Sequence, residues 1–384
     1  MPTITNFLQN IFPKPELIKP GIYHFQAPPD DPRNYRFHLR VEPDGSGILI
    51  INAATILHLN QTATELGYYL VKNETEEKVV KNLTTRYPIN RKQALKDFQS
   101  FKDRIEAMIN TPDLDPVTHL DFDRQNPYSG QISVPYRLDC AITYRLPPDN
   151  NPEFAPTKNI TRELTTQEWI TIIDRAWQFG IPHIVITGGE PTLRDDLVLL
   201  IEAAEKNGQV TGLITDGRRL INLEYLNNLL TTGLDHIMVV WDFVHTDQWQ
   251  ALENTTREDL YTTVHITLSS STIPAINETI KRLADTGING LSLTASKPEY
   301  NPHLQAASEL ATNLQIPLTW NLPVPYSSQN PVTLEVPNQN QEEGAGRAWL
   351  YVEPDGDVLP EQGNPKLLGN LLTNSFEEIY SPSS

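Results

Sequence analysis

Between Tyr136 and Val324 the chain repeats one pattern, a short apolar run rich in β-branched residues, a turn, and then a longer stretch of amphipathic helical spacing. Such alternation marks βα units built around a parallel sheet. The strands read as Leu138–Tyr144, His183–Thr187, Thr211–Thr215, His236–Trp241, Thr263–Leu268 and Gly290–Thr294. The helices read as Thr166–Phe179, Leu193–Asn207, Asn222–Thr232, Ile273–Thr286 and Pro302–Asn313, and a last apolar segment spans Ile316–Val324. In the first helix Thr165 and Glu168 have capping-box spacing, while Trp169, Ile172, Ile173, Ala176 and Trp177 form one apolar stripe. The fold class expected is α/β, a partial (β/α)6 TIM-like barrel with its functional residues at the C-terminal strand ends.

A different pattern precedes the barrel. Arg36–Val41 alternates, turns through Glu42–Gly47, and returns as Ile48–Asn52, with a further strand at Thr55–Leu59. Helices then start near Asn60 and Thr75, and a third, Arg91–Ile109, carries Ala94, Phe98, Phe101, Ile105 and Met108 at helical spacing. The division expected is a lead segment 1–34, a domain 35–110, a linker 111–135 punctuated by Pro116, Asn126–Pro127 and Ser129–Gly130, the barrel 136–326 and a C-terminal extension 327–384.

Charge is unevenly spread along the 384 residues. The net charge is −18, yet residues 36–110 hold 11 Lys/Arg against 9 Asp/Glu, so the acidity lies elsewhere. That balance argues against nucleic acid as a partner of the whole molecule. No 18-residue apolar run exists, and Met1–Pro20 lacks an unbroken apolar core, so no membrane association and a cytoplasmic location are expected by default. Asn-x-Ser/Thr triplets such as Asn73–Glu74–Thr75 then have no secretory context. The single cysteine, Cys140, excludes an intramolecular disulfide, and its place inside a strand predicts a buried, inert thiol. No His-rich or paired Cys/His spacing offers a metal site, so no metal ligand is expected.

Two motifs carry more. The strand Tyr136–Leu146 followed by Thr187–Gly188–Gly189–Glu190–Pro191 resembles the opening strand and the methionine-binding Gly-Gly-Glu-Pro turn of the radical S-adenosylmethionine (SAM) enzymes. The resemblance implies that the turn's backbone meets the SAM amino group, with Gly188, Gly189, Glu190, Pro191, Thr215, Asp216 and Asp242 as the cofactor-binding set. In that family the strand runs into a C-x-x-x-C-x-x-C loop, whose ligand positions fall here on Leu146, Asn150 and Glu153. The expectation is therefore no [4Fe–4S] cluster, no required cofactor, at most weak SAM binding, and no catalytic residue. Gly346–Pro360 resembles the β-hairpin of the SPASM-type extension that binds auxiliary clusters, but Pro360–Glu361–Gln362–Gly363 stands where the family has Pro-Cys-x-Gly. The degenerate, SPASM-like extension continues with Leu368–Gly369–Asn370–Leu371.

Residues 35–110, with Leu57-x-Leu59–Asn60, resemble the winged-helix peptide-recognition domain typified by the pyrroloquinoline-quinone chaperone (PqqD-like). This implies that a leader peptide adds to a strand edge, with Lys92, Lys96 and Arg104 steering an acidic peptide. The function expected is that of a pseudoenzyme, a recognition or scaffold subunit in the modification of ribosomal peptides, working with a precursor peptide and an intact radical SAM paralogue or other modifying enzyme. Two alternatives stay open: an iron-free enzyme using SAM or another small ligand, and a structural partner that binds no peptide.

Overall fold

The structure, a computed structural model, describes residues 18–28, 30–33, 35–52, 55–111, 132–319, 322–334 and 344–380. The chain divides into two compact units, Met1–Ser129 and Gly130–Ser384. The expected linker falls almost wholly outside the described residues, as does most of the lead segment.

The first unit is an antiparallel meander of β1 (Gly21–Gln26), β2 (Arg36–Val41), β3 (Gly47–Ile51) and β4 (Thr55–Leu59), in that spatial order. Leu39 lies opposite Leu49, and Leu49 opposite Leu57, so one register holds these leucines on a single face. Against that face pack α1 (Gln61–Val71), α2 (Glu76–Arg86) and α3 (Arg91–Asn110). Phe98, Phe101, Ile105 and Met108 of α3 join Phe37, Leu39, Leu57 and Val79 in one core. Asn60 and Asn90 cap α1 and α3 through their side chains, whereas Thr75 makes no such bond. Glu65, buried on α1, accepts from Tyr69 at 2.7 Å, Arg86 at 2.9 Å and Tyr87 at 2.8 Å, tying α1 to the end of α2. The segment expected as mere lead contributes β1, whose Phe25 pairs with Phe37. Its alternation is short, confined to Tyr23, His24, Phe25 and Gln26, with the aromatic residues the less exposed.

In the second unit six parallel strands stand in sequence order: β5 (Arg137–Thr143), β6 (His183–Gly188), β7 (Val210–Thr215), β8 (His236–Val240), β9 (Tyr261–Leu268) and β10 (Gly290–Ala295). Helices follow each: α4 (Thr166–Phe179), α5 (Leu197–Asn207), α6 (Leu223–Thr231), α7 (Gln248–Thr255), α8 (Ile276–Thr286) and α9 (Asn301–Asn313). Both halves of the Thr165/Glu168 capping box form, and Trp169, Ile172, Ile173 and Ala176 are buried. Side chains alternate across the strands as the pleat demands. Leu138, Cys140 and Ile142 face the helices, while Val185, Ile214, Met238 and Val240 gather on the opposite face.

Three features differ from the sequence reading. Helix α7 was not expected, because its buried face includes Gln248, Asn254 and Thr255 and so shows no apolar stripe. Ile316–Val324 forms no regular strand in its described part, only a bridge from Leu318 to Leu291. The C-terminal hairpin, β11 (Trp349–Val352) with β12 (Asp357–Leu359), adds to the barrel sheet, a pairing the sequence reading did not include. Strand β11 runs parallel to β5, with Leu350 opposite Leu138, and β13 (Gly369–Asn370) adds beyond β12, so the barrel sheet continues through all three. A short α10 (Phe376–Ile379) stacks Phe376 on Phe179 of α4 at 5.1 Å between ring centroids. No helix among the described residues is long and apolar enough to cross a membrane.

Candidate functional site

The C-terminal ends of β5 to β8 converge on a narrow crevice whose cavity volume is about 30 Å³. Gly189, Glu190, Asp216 and Asp242, each expected from sequence, line it together with Arg218, Trp241, His245 and Gln248. The loop after β5 supplies Leu146, Pro147 and Asn150, and Pro325–Gln329 supplies the remaining wall.

The Gly-Gly-Glu-Pro turn is held by close backbone approach. A Cβ on Gly188 would come within 2.1 Å of the Thr143 carbonyl oxygen, and one on Gly189 within 2.3 Å of that of Arg145. The Gly188 backbone also has φ of 132°, open only to glycine. Gly189 N–H donates to Thr143 O and Glu190 N–H to Arg145 O, both at 2.8 Å, so the turn is laced to the end of β5. The Gly188 carbonyl accepts from Tyr326 N–H at 3.2 Å, and Pro191 is buried at the start of a short 3₁₀ turn.

Glu190 is a strut. Its carboxylate accepts from Thr192 N–H at 2.9 Å, Thr215 Oγ1 at 2.7 Å and Asp216 N–H at 2.7 Å, and also from the Thr192 hydroxyl. Burial, with the Asp216 charge adding, pushes its pKa up to about 8 against those donors. Thr215 thus serves Glu190 from below and does not line the crevice.

Sequence reasoning missed the groups that tie the loops together. Gln248, fully buried, accepts from Asp242 N–H at 2.8 Å and donates to Asp216 O at 2.7 Å and Val240 O at 2.9 Å. Arg218 donates to Asp216 at 2.8 Å through Nε and to Asp149 at 2.7 and 3.2 Å through both Nη atoms. His245 Nε2 lies 3.2 Å from Asp149 and 3.7 Å from Asp242. The indole N–H of Trp241 is buried without a hydrogen-bond partner among the described residues. Only position could have flagged them: Arg218, Trp241 and His245 lie within five residues of a strand's C-terminal end, and Gln248 opens the helix after β8.

In the first unit, Lys96 and Arg104 line one shallow groove with Gln99, Ser100 and Asp103. Lys92 is exposed and lies outside it. A carboxylate trio not foreseen, Glu353, Asp355 and Asp357, places one oxygen each within 4.8 Å of the others at the β11–β12 turn. Tyr144 donates to Glu353 at 3.0 Å and Asn370 to Asp357 at 2.8 Å.

The sequence of this region and the fold that carries it have known counterparts. Residues 140–266 match the Radical SAM superfamily model. The PqqA peptide cyclase of Rhizobium meliloti (strain 1021) is 37% identical over 112 residues, which are 28% of this chain and 29% of that protein. The matched region thus spans less than a third of that relative. The fold is shared with Streptococcus suis SuiB, whose structure bound to precursor peptide SuiA matches with a TM-score of 0.59 and 13% identity, covering 93% of this chain and 88% of that one. The structure of SuiB bound to S-adenosylmethionine matches at 0.57 and 14%, with the same coverage.

These findings overturn the expectation of a site without a cofactor or cluster: the matched superfamily is that of radical SAM proteins, and a protein of the same fold holds S-adenosylmethionine. Gly188 and Gly189 are needed because the backbone at the end of β5 approaches where a Cβ would stand, and Trp241 packs against Phe243 and Trp249, so these residues shape the floor of the crevice. Leu146, Asn150 and Glu153 offer no thiolate, and burial drives the Cys140 thiol well above its ordinary pKa within β5.

Proposed function

We propose that this protein is a recognition or scaffold subunit in the modification of a ribosomally made precursor peptide, a pseudoenzyme whose barrel serves its crevice and whose first unit grips the peptide. The observation that carries the reading is the edge of the first unit's sheet. Among the described residues strand β4 pairs with β3 on one side only, and it runs directly into α1, while α3 presents Lys96 and Arg104 along one groove. An edge strand is a template for an added strand, and a neighbouring basic groove steers an acidic one. In this reading residues 35–110 are a winged-helix, PqqD-like domain and 327–384 a SPASM-like extension. The likeness to a PqqA peptide cyclase and to SuiB, which has been seen with its precursor peptide, supports it. An intact radical SAM enzyme is the proposed catalytic partner, and SAM the proposed ligand of the crevice.

The test titrates the full chain with synthetic leader peptides encoded beside its gene and follows backbone amide exchange. Protection is expected at β4 and α3, with Lys96→Glu/Arg104→Glu weakening binding most at low ionic strength. The reading fails if no peptide protects β4 or α3 while duplex DNA binds with a steep salt dependence.

A further inference from the structure

The crevice mouth holds a carboxylate that belongs to the chain itself. Asp149, on the loop after β5, is gripped by both Nη atoms of Arg218 at 2.7 and 3.2 Å and approached by His245 at 3.2 Å. Planar two-point contact of this kind is how a guanidinium recognises a carboxylate.

The two sides of the contact are unequal. Arg218 is only 20% exposed, and its Nε is fixed by Asp216, which in turn receives the Arg218 N–H at 2.9 Å. The fork is therefore set independently of Asp149. Asp149 is 46% exposed and sits between Pro147–Pro148 and Pro152 on a loop of the surface. The guanidinium beside it holds its carboxyl below the usual range, so it is ionised at neutral pH. Arg218 and His245 line the crevice, together with Asn150 of the same loop.

We propose that Arg218 and His245 form a carboxylate-binding site at the crevice mouth, that its ligand is a carboxylate of the bound peptide, and that Asp149 is the tethered stand-in which that carboxylate displaces. Asp216 and Asp242 make the neighbourhood acidic, but the exchange gives the Arg218 fork one carboxylate in place of another, while the displaced Asp149 turns its charge to solvent. Solvent screens the pair from the Asp149 side, which is 46% exposed, and the pair then holds by on the order of fivefold, so displacement is within reach of a weak ligand. The proposal rests on the peptide reading above, yet strand addition at β4 can fail while this site binds, and the reverse.

The experiment uses the full chain and two probes, N-acetylaspartate amide, which carries only a side-chain carboxylate, and N-acetylalanine, which carries only a terminal one. Dissociation constants come from ligand-observed NMR. Asp149→Ala is expected to bind at least one probe roughly fivefold tighter than wild type, and the probe that gains identifies the kind of carboxylate. Arg218→Gln in the Asp149→Ala background is expected to lose that binding. His245→Asn in the same background provides a second arm, with expected weakening of binding, should the arginine variant lose its near-UV circular dichroism. The proposal is overturned if neither probe binds Asp149→Ala more tightly than wild type, or if the gain survives removal of Arg218 or His245.

Discussion

Replacing Gln248 by Leu keeps the volume of a fully buried side chain and removes every bond it makes. Three backbone groups lose their partner: the Asp242 N–H, the Asp216 carbonyl and the Val240 carbonyl. A buried polar group left unsatisfied costs about 1–3 kcal/mol, and water entering from the crevice relieves part of that for Asp216 and Asp242. The expected loss is about 2–4 kcal/mol for the barrel unit, large for a single substitution. Gln248→Glu separates the parts of the interaction. It keeps an acceptor for Asp242 N–H but turns a second oxygen toward two carbonyls. Its penalty is therefore smallest when the new carboxyl is protonated, and grows from pH 5 to pH 8. Urea unfolding followed by near-UV circular dichroism gives the stabilities, and native-state amide exchange locates the damage at residues 216–218 and 242–245. Stability within about 0.5 kcal/mol of wild type, with unchanged exchange at Asp242, would refute the role given to Gln248.

Gly189→Ala places a Cβ against the Arg145 carbonyl, a backbone atom that cannot swing away, so a loss of at least about 1–3 kcal/mol is expected in thermal or urea unfolding. Glu190 makes stability depend on pH in a defined direction. Its folded pKa of about 8 exceeds that of an unfolded carboxyl, so the folded state holds the extra proton between roughly pH 4.5 and 8, and its contribution is lost as pH rises through that window. The slope is at most about 1.4 kcal/mol per pH unit, and Glu190→Gln is expected to flatten it. Urea midpoints of both proteins at pH 6, 7 and 8 check this, equal slopes counting against it.

The βα alternation was legible because strands such as His183–Gly188 and helices such as Thr166–Phe179 are apolar on the faces they bury, and packing then follows pattern. Helix α7 was illegible for the opposite reason, since Gln248 and Asn254 are buried for their hydrogen bonds and look like surface residues. The site divides in the same way. Gly188–Gly189 and Glu190 announced themselves through a turn that tolerates no side chain, and Asp216 and Asp242 through their place after strands. Arg218, His245 and Asp149 belong to three different loops, so the contact that unites them exists only once the sheet has ordered those loops. The error over the cofactor came from weighing three ligand positions above the rest of the region, which matches the Radical SAM superfamily model from residue 140 to 266.

The parallel pairing of β11 with β5 also bears on how the protein is made. Leu138 finds its partner in Leu350, roughly 210 residues later in the chain. At about 5–20 residues per second, ribosomal synthesis separates the two by roughly 10–40 s, far longer than a helix or hairpin needs to form. Throughout that interval the first barrel strand exists with one bare edge, although β6 can already cover the other. Such an edge invites pairing with a foreign strand. The barrel therefore closes its own flank only near the end of translation, and the emerging chain depends on what shelters β5 until Trp349–Val352 arrives.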